Sequence, residues 1–235
     1  MKRRFDGVAF DLDGTLYPNY RLYIRLIPFI CKEHRLLRAL GKARDMLRSE
    51  AQRQDPQAGE GSFYTLQARL MGEILHLDPE TVQQRVEKLI YRGWEPLFKK
   101  ITPYPRVRET LLSLREKGIK LGLLSDFPPE VKLENLKLAG LWDKVLCSEQ
   151  VGRLKPDPAP FLALAKQLDS TADRILYVGN SVPYDIIGAK KAGMKAALIA
   201  FPLACLSPLR KPGIHNGNAD FVYVHYRQLY DYVLS

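Results

Sequence analysis

The chain has 235 residues, 46% of them hydrophobic, which allows one large domain or a core with a smaller insert and argues against wholesale disorder. Its three cysteines are scattered and form no C-x-x-C pair, so neither a disulfide framework nor a cysteine zinc site is indicated. The net charge of +10 is typical of a protein that attracts anions, whether a small molecule, a nucleic acid or a membrane surface.

Near the start of the chain, an apolar run leads directly into two acids. In the stretch FDGVAFDLDGTL (residues 5–16), the run suits a short buried strand that Gly14 ends. Alternation along a strand would point Asp11 and Asp13 to the same side, at the carboxyl end where ligands bind in open α/β sheets. The alternative is a surface turn closed by Gly14. Two carboxylates this close repel unless a cation or a proton separates them, so the stretch is a candidate ligand site.

Residues 17–101 have helical patterns throughout. We expect a turn at residues 17–20, a long helix at 20–54, a loop at 55–62 and two further helices at 63–75 and 78–96. We expect Asn19 to cap the long helix and Pro28 to kink it. Asp78 and Pro79 form a good start for the last helix, with proline in its favoured first position.

Much of the positive charge lies in the long helix. This helix has nine basic residues and only three acids. The basic residues are Arg21, Arg25, Lys32, Arg35, Arg38, Lys42, Arg44, Arg48 and Arg53. We interpret them first as a solvated helix face, and second as an attraction for an anionic small molecule.

Beyond a stiff connector at residues 102–105, strands and helices alternate. The expected strands are at residues 119–124, 144–147, 175–178, 195–200 and 220–224, and the expected helices are at 106–117, 158–168, 183–192 and 226–234, with a further helix ending near 138. This order predicts an α/β fold, a Rossmann-like parallel sheet with helices on both faces. The first strand can join the sheet only if residues 17–101 are inserted. We therefore expect a core domain of residues 1–16 and 102–235 and an all-helical domain of residues 17–101.

Polar clusters lie at the carboxyl ends of four predicted strands or just after them. They are Asp11 with Asp13, Ser125 with Asp126, Lys155 in GRLKPDP, and Asn180 with Asp185 in GNSVPYD. Each cluster alone is equally well explained as a helix cap, a turn or a loop. Their order and their placement at one edge of a sheet favour a common site.

With these clusters in order, the chain resembles the haloacid dehalogenase-like (HAD) hydrolases. The resemblance covers the first sixteen residues and about 102–200, with DxDGT at 11–15 and a glycine-led acidic motif at 179–185. The helical insertion resembles the cap domain of that family, which sets substrate choice. Dehalogenases carry DxYGT at the first motif, so Asp13 implies a phosphatase or a phosphomutase.

The resemblance also implies a role for each motif residue. Asp11 would attack a phosphoryl group to form an aspartyl-phosphate, and Asp13 would act as general acid and base. Ser125, Asp126 and Lys155 would bind the substrate phosphate. Two of these residues would also be catalytic. Ser125 would hydrogen-bond a phosphate oxygen, and Lys155 would offset the negative charge between the phosphate and the nucleophile.

A magnesium ion is the cofactor that the resemblance implies. Its ligands would be Asp11, the backbone carbonyl of Asp13, and the motif around Asn180 and Asp185. Many relatives have Gly-Asp where this chain has Gly-Asn at Asn180. A neutral amide supplies no charge, so we expect weaker metal binding, with Asp185 contributing a larger part of the binding free energy.

The implied activity is a Mg²⁺-dependent phosphohydrolase acting on a small phosphorylated metabolite. The alternatives are a phosphomutase, or a catalytically weakened protein that binds nucleic acid or a membrane surface through its basic helix. The complete set of catalytic residue types favours the enzyme and disfavours nucleic acid as a partner, while the oligomeric state stays open. No stretch reaches the ~18–20 apolar residues of a membrane span. The start of the chain is a poor signal peptide, because acids interrupt the short apolar run after its basic opening, so we expect a cytoplasmic protein.

Overall fold

The computed structural model describes residues 3–49, 60–200 and 218–235. Six strands form one parallel sheet in the order β3-β2-β1-β4-β5-β6. They are β1 (Gly7–Phe10), β2 (Lys120–Ser125), β3 (Lys144–Cys147), β4 (Ile175–Gly179), β5 (Lys195–Ile199) and β6 (Phe221–Tyr223). The predicted Rossmann-like parallel sheet is therefore confirmed.

The first strand lies at the centre of the sheet, between β2 and β4. Phe10 pairs with Leu123 on one side and with Val178 on the other. Because all three strands run in the same direction, their carboxyl ends lie side by side at one edge of the sheet. This edge carries the residues that follow Phe10, Leu124 and Val178 in the sequence.

Helices cover both faces of the sheet. One face packs against α5 (Val107–Glu116), α6 (Glu130–Asn135) and α10 (Tyr226–Leu234), and the other against α8 (Pro158–Gln167) and α9 (Ile187–Lys191). Alternate residues of each strand point to opposite faces of the sheet. Val8 and Phe10 belong to the apolar core on the first face, and Ala9 belongs to the core on the other face. The short helix α7 (Ser148–Val151) was missed because one turn leaves no periodic pattern.

Further helices are inserted between β1 and α5. They are α1 (Asn19–Arg48), α2 (Glu60–Leu75), α3 (Pro79–Val86), a π-helical turn (Glu87–Tyr91), α4 (Arg92–Trp94) and a 3-10 helix (Glu95–Lys100). They share an apolar core of their own, which includes Leu36, Leu40, Met71 and Val82. Asp78 caps α3 as expected, since its carboxylate accepts a hydrogen bond from Thr81 N at 3.0 Å. We call residues 19–100 the helical insertion.

The long helix α1 differs from its prediction in two details. It begins at Asn19, and the residue in the cap position is Pro18, so Asn19 is not its cap. The Asn19 side chain instead donates to the backbone carbonyl of Asp13 at 3.3 Å. The non-helical residue is Glu33 rather than Pro28. Pro28 lies on the exposed side of α1, where water can satisfy the carbonyl that loses its helical partner.

Some expected features fall outside the described residues. The end of the long helix and most of the loop expected at 55–62 belong to the undescribed residues 50–59. Among the helices of the described ranges, none combines the length and apolar character needed to cross a membrane.

Candidate active site

The strand ends bring a buried lysine between two buried carboxylates. Lys155 Nζ donates to Asp11 Oδ1 at 2.6 Å and to Asp185 Oδ1 at 2.7 Å. Burial and the neighbouring Asp185 carboxylate raise the pKa of Asp11 to about 7, against the lowering effect of Lys155. Burial alone would lower the pKa of Lys155, but the two carboxylates outweigh it and hold that pKa well above its usual value. The ammonium therefore stays charged beside Asp11.

The turn after β1 fixes the other oxygen of Asp11. Thr15 Oγ1 donates to Asp11 Oδ2 at 2.8 Å. Gly14, between them, has φ +91°, and a Cβ there would lie 2.5 Å from the Asn19 side-chain amide and also collide with the Asn180 amide. The turn thus requires glycine both for its backbone angle and for this close approach.

The two acids of the first motif have different partners. The Asp13 carboxylate accepts a hydrogen bond from the Tyr17 hydroxyl and one from Lys132 Nζ, the latter at 2.6 Å. The backbone carbonyl of Asp13, by contrast, turns toward Asn180. Asp13 therefore presents its carboxylate toward Lys132 and its carbonyl toward the last motif.

Three oxygen-bearing groups converge near the end of β4. The Asn180 side-chain oxygen faces Asp11 Oδ2 and the Asp13 carbonyl, and it lies 3.3 Å from Thr15 Oγ1, which donates to it. A carboxylate, a carbonyl and an amide around one point fit a hard cation, which prefers oxygen ligands. Within the described residues, no group of three His, Cys, Asp or Glu side chains is placed to hold a metal ion.

Asp185 organises the loop that carries Asn180. Its Oδ2 accepts hydrogen bonds from Asn180 N at 3.1 Å and from Ser181 N at 2.9 Å, and its Oδ1 accepts from Lys155. Both oxygens therefore contact protein donors. The sequence expectation that Asp185 is a metal ligand stays a prediction.

The second motif places Ser125 and Asp126 at the end of β2. Ser125 is buried, and its Oγ accepts a hydrogen bond from Phe127 N at 3.2 Å. The Asp126 carboxylate accepts from Lys155 N at 3.1 Å and from Arg48 Nη2 at 2.9 Å. Asp126 thereby joins the lysine motif to helix α1. Phosphate binding by Ser125 and Asp126 stays a prediction.

We expect the contacts of Asp126 to make stability depend on pH in one direction. Burial raises the pKa of Asp126, but Lys155, Arg44 and Arg48 outweigh it and hold that pKa below its usual value near 3.8. The ionised form is therefore favoured by folding, and its stabilisation is present above about pH 3.8 and is lost as the pH falls through the lower folded value.

The substitution Asp126→Asn tests this direction. We expect it to lower the free energy of unfolding by about 1–3 kcal/mol near neutral pH, because an amide cannot pair with Arg48 as a carboxylate does. Urea unfolding of both proteins from neutral pH down to the acid limit of folding measures the difference. The difference should shrink as the medium becomes acidic; a constant difference would contradict the charged role of Asp126.

Two arginines of α1 contradict the interpretation of the basic residues as a solvated face. Arg44 is 4% exposed, forms an ion pair with the Glu149 carboxylate and donates to the Asp126 carbonyl at 2.9 Å. Arg48 Nε donates to the Lys155 carbonyl at 2.9 Å. Both side chains thus bind the α/β part of the chain rather than water.

The sequence contained a signal for one of them. Arg44 follows Leu36 and Leu40 at helical spacing of four, on the stripe that packs into the insertion core. A charged residue on an apolar stripe indicates a buried partner. For Lys132, which contacts Asp13, no motif or spacing was available.

Comparison with known proteins agrees with this geometry. A family model described as haloacid dehalogenase-like hydrolase matches residues 5–193. The chain is 32% identical to a glyceraldehyde 3-phosphate phosphatase of Methanopyrus kandleri, over 80% of this chain and 81% of that protein. It is likewise 32% identical to a phosphoglycolate phosphatase of Escherichia coli, over 80% of this chain and 78% of that one.

A solved structure resembles the chain over nearly its whole length. It is a HAD phosphatase from Thermococcus onnurineus, with a TM-score of 0.61, 26% identity, and coverage of 97% of this chain and 98% of that chain. The family match spans the first strand, the helical insertion and all four polar motifs. The chain therefore belongs to the haloacid dehalogenase-like hydrolases.

Proposed function

We propose that the chain is a Mg²⁺-dependent phosphohydrolase that acts on a small phosphorylated metabolite through an aspartyl-phosphate on Asp11. At the coarser level it is a HAD-like phosphatase, because it belongs to the haloacid dehalogenase-like hydrolases and its relatives are named phosphatases. The observation that supports the finer proposal best is the buried ammonium of Lys155, bonded to Asp11. A permanent positive charge at that point offsets the charge that gathers when a carboxylate approaches a phosphate.

The residues around Asp11 suit a two-step displacement. In the first step a bond forms between an Asp11 oxygen and phosphorus, and the ester bond to the leaving oxygen breaks. We assign Asp13 to give the leaving oxygen its proton. In the second step Asp13 takes a proton from water, and the water oxygen attacks the phosphorus and releases Asp11.

The convergence of Asp11 Oδ2, the Asp13 carbonyl and the Asn180 side chain supports the proposed Mg²⁺ site. These three groups would hold the ion, with Asp185 as the further ligand that the resemblance implies. A bound Mg²⁺ would supply neutralisation of the phosphoryl oxygens. In that arrangement Ser125 would hydrogen-bond a phosphate oxygen and Lys155 would keep the phosphate beside Asp11.

The proposed function is tested by measuring how phosphate release depends on Mg²⁺, in the parent and after substitution of Asn180. We expect phosphate release from glyceraldehyde 3-phosphate, 2-phosphoglycolate or an aryl phosphate to require Mg²⁺ and to stop with a chelator. We further expect Asn180→Asp to lower the Mg²⁺ concentration for half-maximal rate roughly tenfold, because it adds a negative charge to the ligand set.

A charge-matched control keeps this test specific. Asn218→Asp adds the same charge at an exposed position and should leave the Mg²⁺ dependence unchanged. Equal Mg²⁺ affinity in the parent and in Asn180→Asp would remove Asn180 from the ligand set. Phosphate release that is indifferent to chelator would contradict the metal requirement itself.

We also propose that residues 17–101 form the cap domain and residues 1–16 and 102–235 the core domain. Most residues of one apolar cluster belong to the inserted helices, which supports this division. The engagement of Arg44 and Arg48 with the α/β part weakens the alternative in which the basic helix binds nucleic acid. We also propose that the protein is located in the cytoplasm.

A further inference from the structure

A cavity of about 710 Å³ lies between the helical insertion and the segment that follows β2. This volume is within the usual range for small-molecule sites, about 300–1,000 Å³. The residues of its wall that matter below are Tyr91, Trp94, Phe98, Phe127, Val131 and Lys132. We call this space the insertion cavity.

The insertion cavity ends at two residues that adjoin the first motif, Lys132 and Phe98. Lys132 lines the cavity, and its Nζ donates to Asp13 Oδ2 at 2.6 Å. Phe98 lines it as well and packs edge-on against Tyr17, whose hydroxyl donates to the same carboxylate. The cavity is thus separated from the Asp13 carboxylate by its direct partner Lys132 and by Phe98 beside Tyr17.

The wall of the insertion cavity is mainly apolar, and its aromatic residues are Tyr64, Tyr91, Trp94, Phe98 and Phe127. Phe127 packs against Tyr91 and Trp94, with ring centroids 6.1 Å and 6.4 Å apart. Apolar and aromatic faces suit a ligand with an apolar or aromatic body.

The charged residues of the wall disfavour a second anionic group on the ligand. Four wall residues are acids, namely Glu80, Glu87, Glu95 and Glu130, and two are cations. Arg92, one of the cations, bonds to Glu87 and Glu95, and Lys132, the other, bonds to Asp13. Both cations of the wall thus already have acidic partners, and a ligand carboxylate or second phosphate would meet an excess of negative charge.

We infer that the substrate is a phosphate monoester of a bulky, largely apolar alcohol, of aromatic or comparable character, with no anionic group besides the phosphate. This inference rests on the proposed function, since it takes Asp13 as the residue beside the leaving oxygen. The alcohol part lies in the insertion cavity against Trp94 and Phe127, and Lys132 holds Asp13 at its inner end.

Binding of three phosphonates tests the inference independently of turnover. With Mg²⁺ present, calorimetry should show that 1-naphthylmethylphosphonate binds about tenfold or more tightly than methylphosphonate, and that phosphonoacetate gains nothing from its carboxylate. Trp94→Ala should remove most of the naphthyl preference, while Trp94→Phe should retain much of it because it keeps an aromatic wall. Equal binding of all three phosphonates to the parent would overturn the inference.

Turnover separates this inference from the proposed function. We expect kcat/KM to be higher for 1-naphthyl phosphate than for 2-phosphoglycolate, and Trp94→Ala to raise KM for the naphthyl ester only. If the protein prefers the naphthyl phosphonate but hydrolyses no phosphate ester, the phosphatase activity is refuted and the inferred class of ligand for the cavity is supported. A preference for 2-phosphoglycolate in binding or turnover would overturn the ligand class and leave the phosphatase standing.

Discussion

Replacing Asp11 by Asn is expected to lower Mg²⁺-dependent phosphate release by about 10⁴-fold or more, because an amide cannot form the covalent phosphoryl intermediate. The substitution preserves the size of the side chain. Lys155 keeps its ion pair with Asp185, at 2.7 Å, so the buried ammonium is not left alone. Steady-state phosphate release from an aryl phosphate measures the loss.

Folding of the Asp11→Asn protein should be close to that of the parent. Burial disfavours the ionised carboxyl of Asp11, which is why its pKa is raised to about 7, so the neutral amide relieves that cost. Asp6→Asn is a suitable control, since Asp6 belongs to the same segment but bonds to Arg174 at the protein surface. Normal rates in both variants would exclude Asp11 as the nucleophile.

Replacing Glu149 by Ala is expected to destabilise the protein by about 3–5 kcal/mol, which is the usual cost of removing one partner of a buried ion pair. Glu149 is fully buried and accepts hydrogen bonds from Tyr91 at 2.9 Å and from Tyr64 at 3.2 Å, besides its ion pair with Arg44. Its loss leaves the Arg44 guanidinium with two neutral acceptors, the Asp126 carbonyl and Gln67 Oε1, and with the face of the Phe127 ring, 4.0 Å away.

The free energy of unfolding in urea measures this cost. The matched control is Glu87→Ala, whose ion pair with Arg92 lies at the surface, with side chains 53% and 68% exposed. We expect its urea midpoint to stay close to that of the parent, since exposed ion pairs contribute little. Equal midpoints for Glu149→Ala and Glu87→Ala would show that the buried pair does not stabilise the fold.

The positions of the motif residues could be predicted from sequence because local patterns determine where strands end. The runs before Asp11, Ser125 and Asn180 are apolar and short, and parallel strands must bring such ends to one edge. Asp11, Lys155 and Asp185 indeed form one bonded group. What their side chains do in catalysis was inferred from the resemblance and stays a proposal.

The contacts between the helical insertion and the rest of the chain could not be predicted in the same way. The partner of Arg44 lies 105 positions along the chain, and no periodic pattern relates two residues so far apart. Lys132 has no motif around it, yet its bond to Asp13 closes one end of the insertion cavity. The change from α- to π-helical bonding at Glu87–Tyr91 also has no signal in residue pattern, because both helix types present the same composition.

The arginines of α1 have a consequence for how the helical insertion can move. Arg44 and Arg48 project from one helix, while their acceptors belong to three separate segments, at Asp126, Glu149 and Lys155. A rigid displacement of α1 would stretch the bonds to all three segments at once. We therefore expect these bonds to form and break together, so that the junction opens as one cooperative unit.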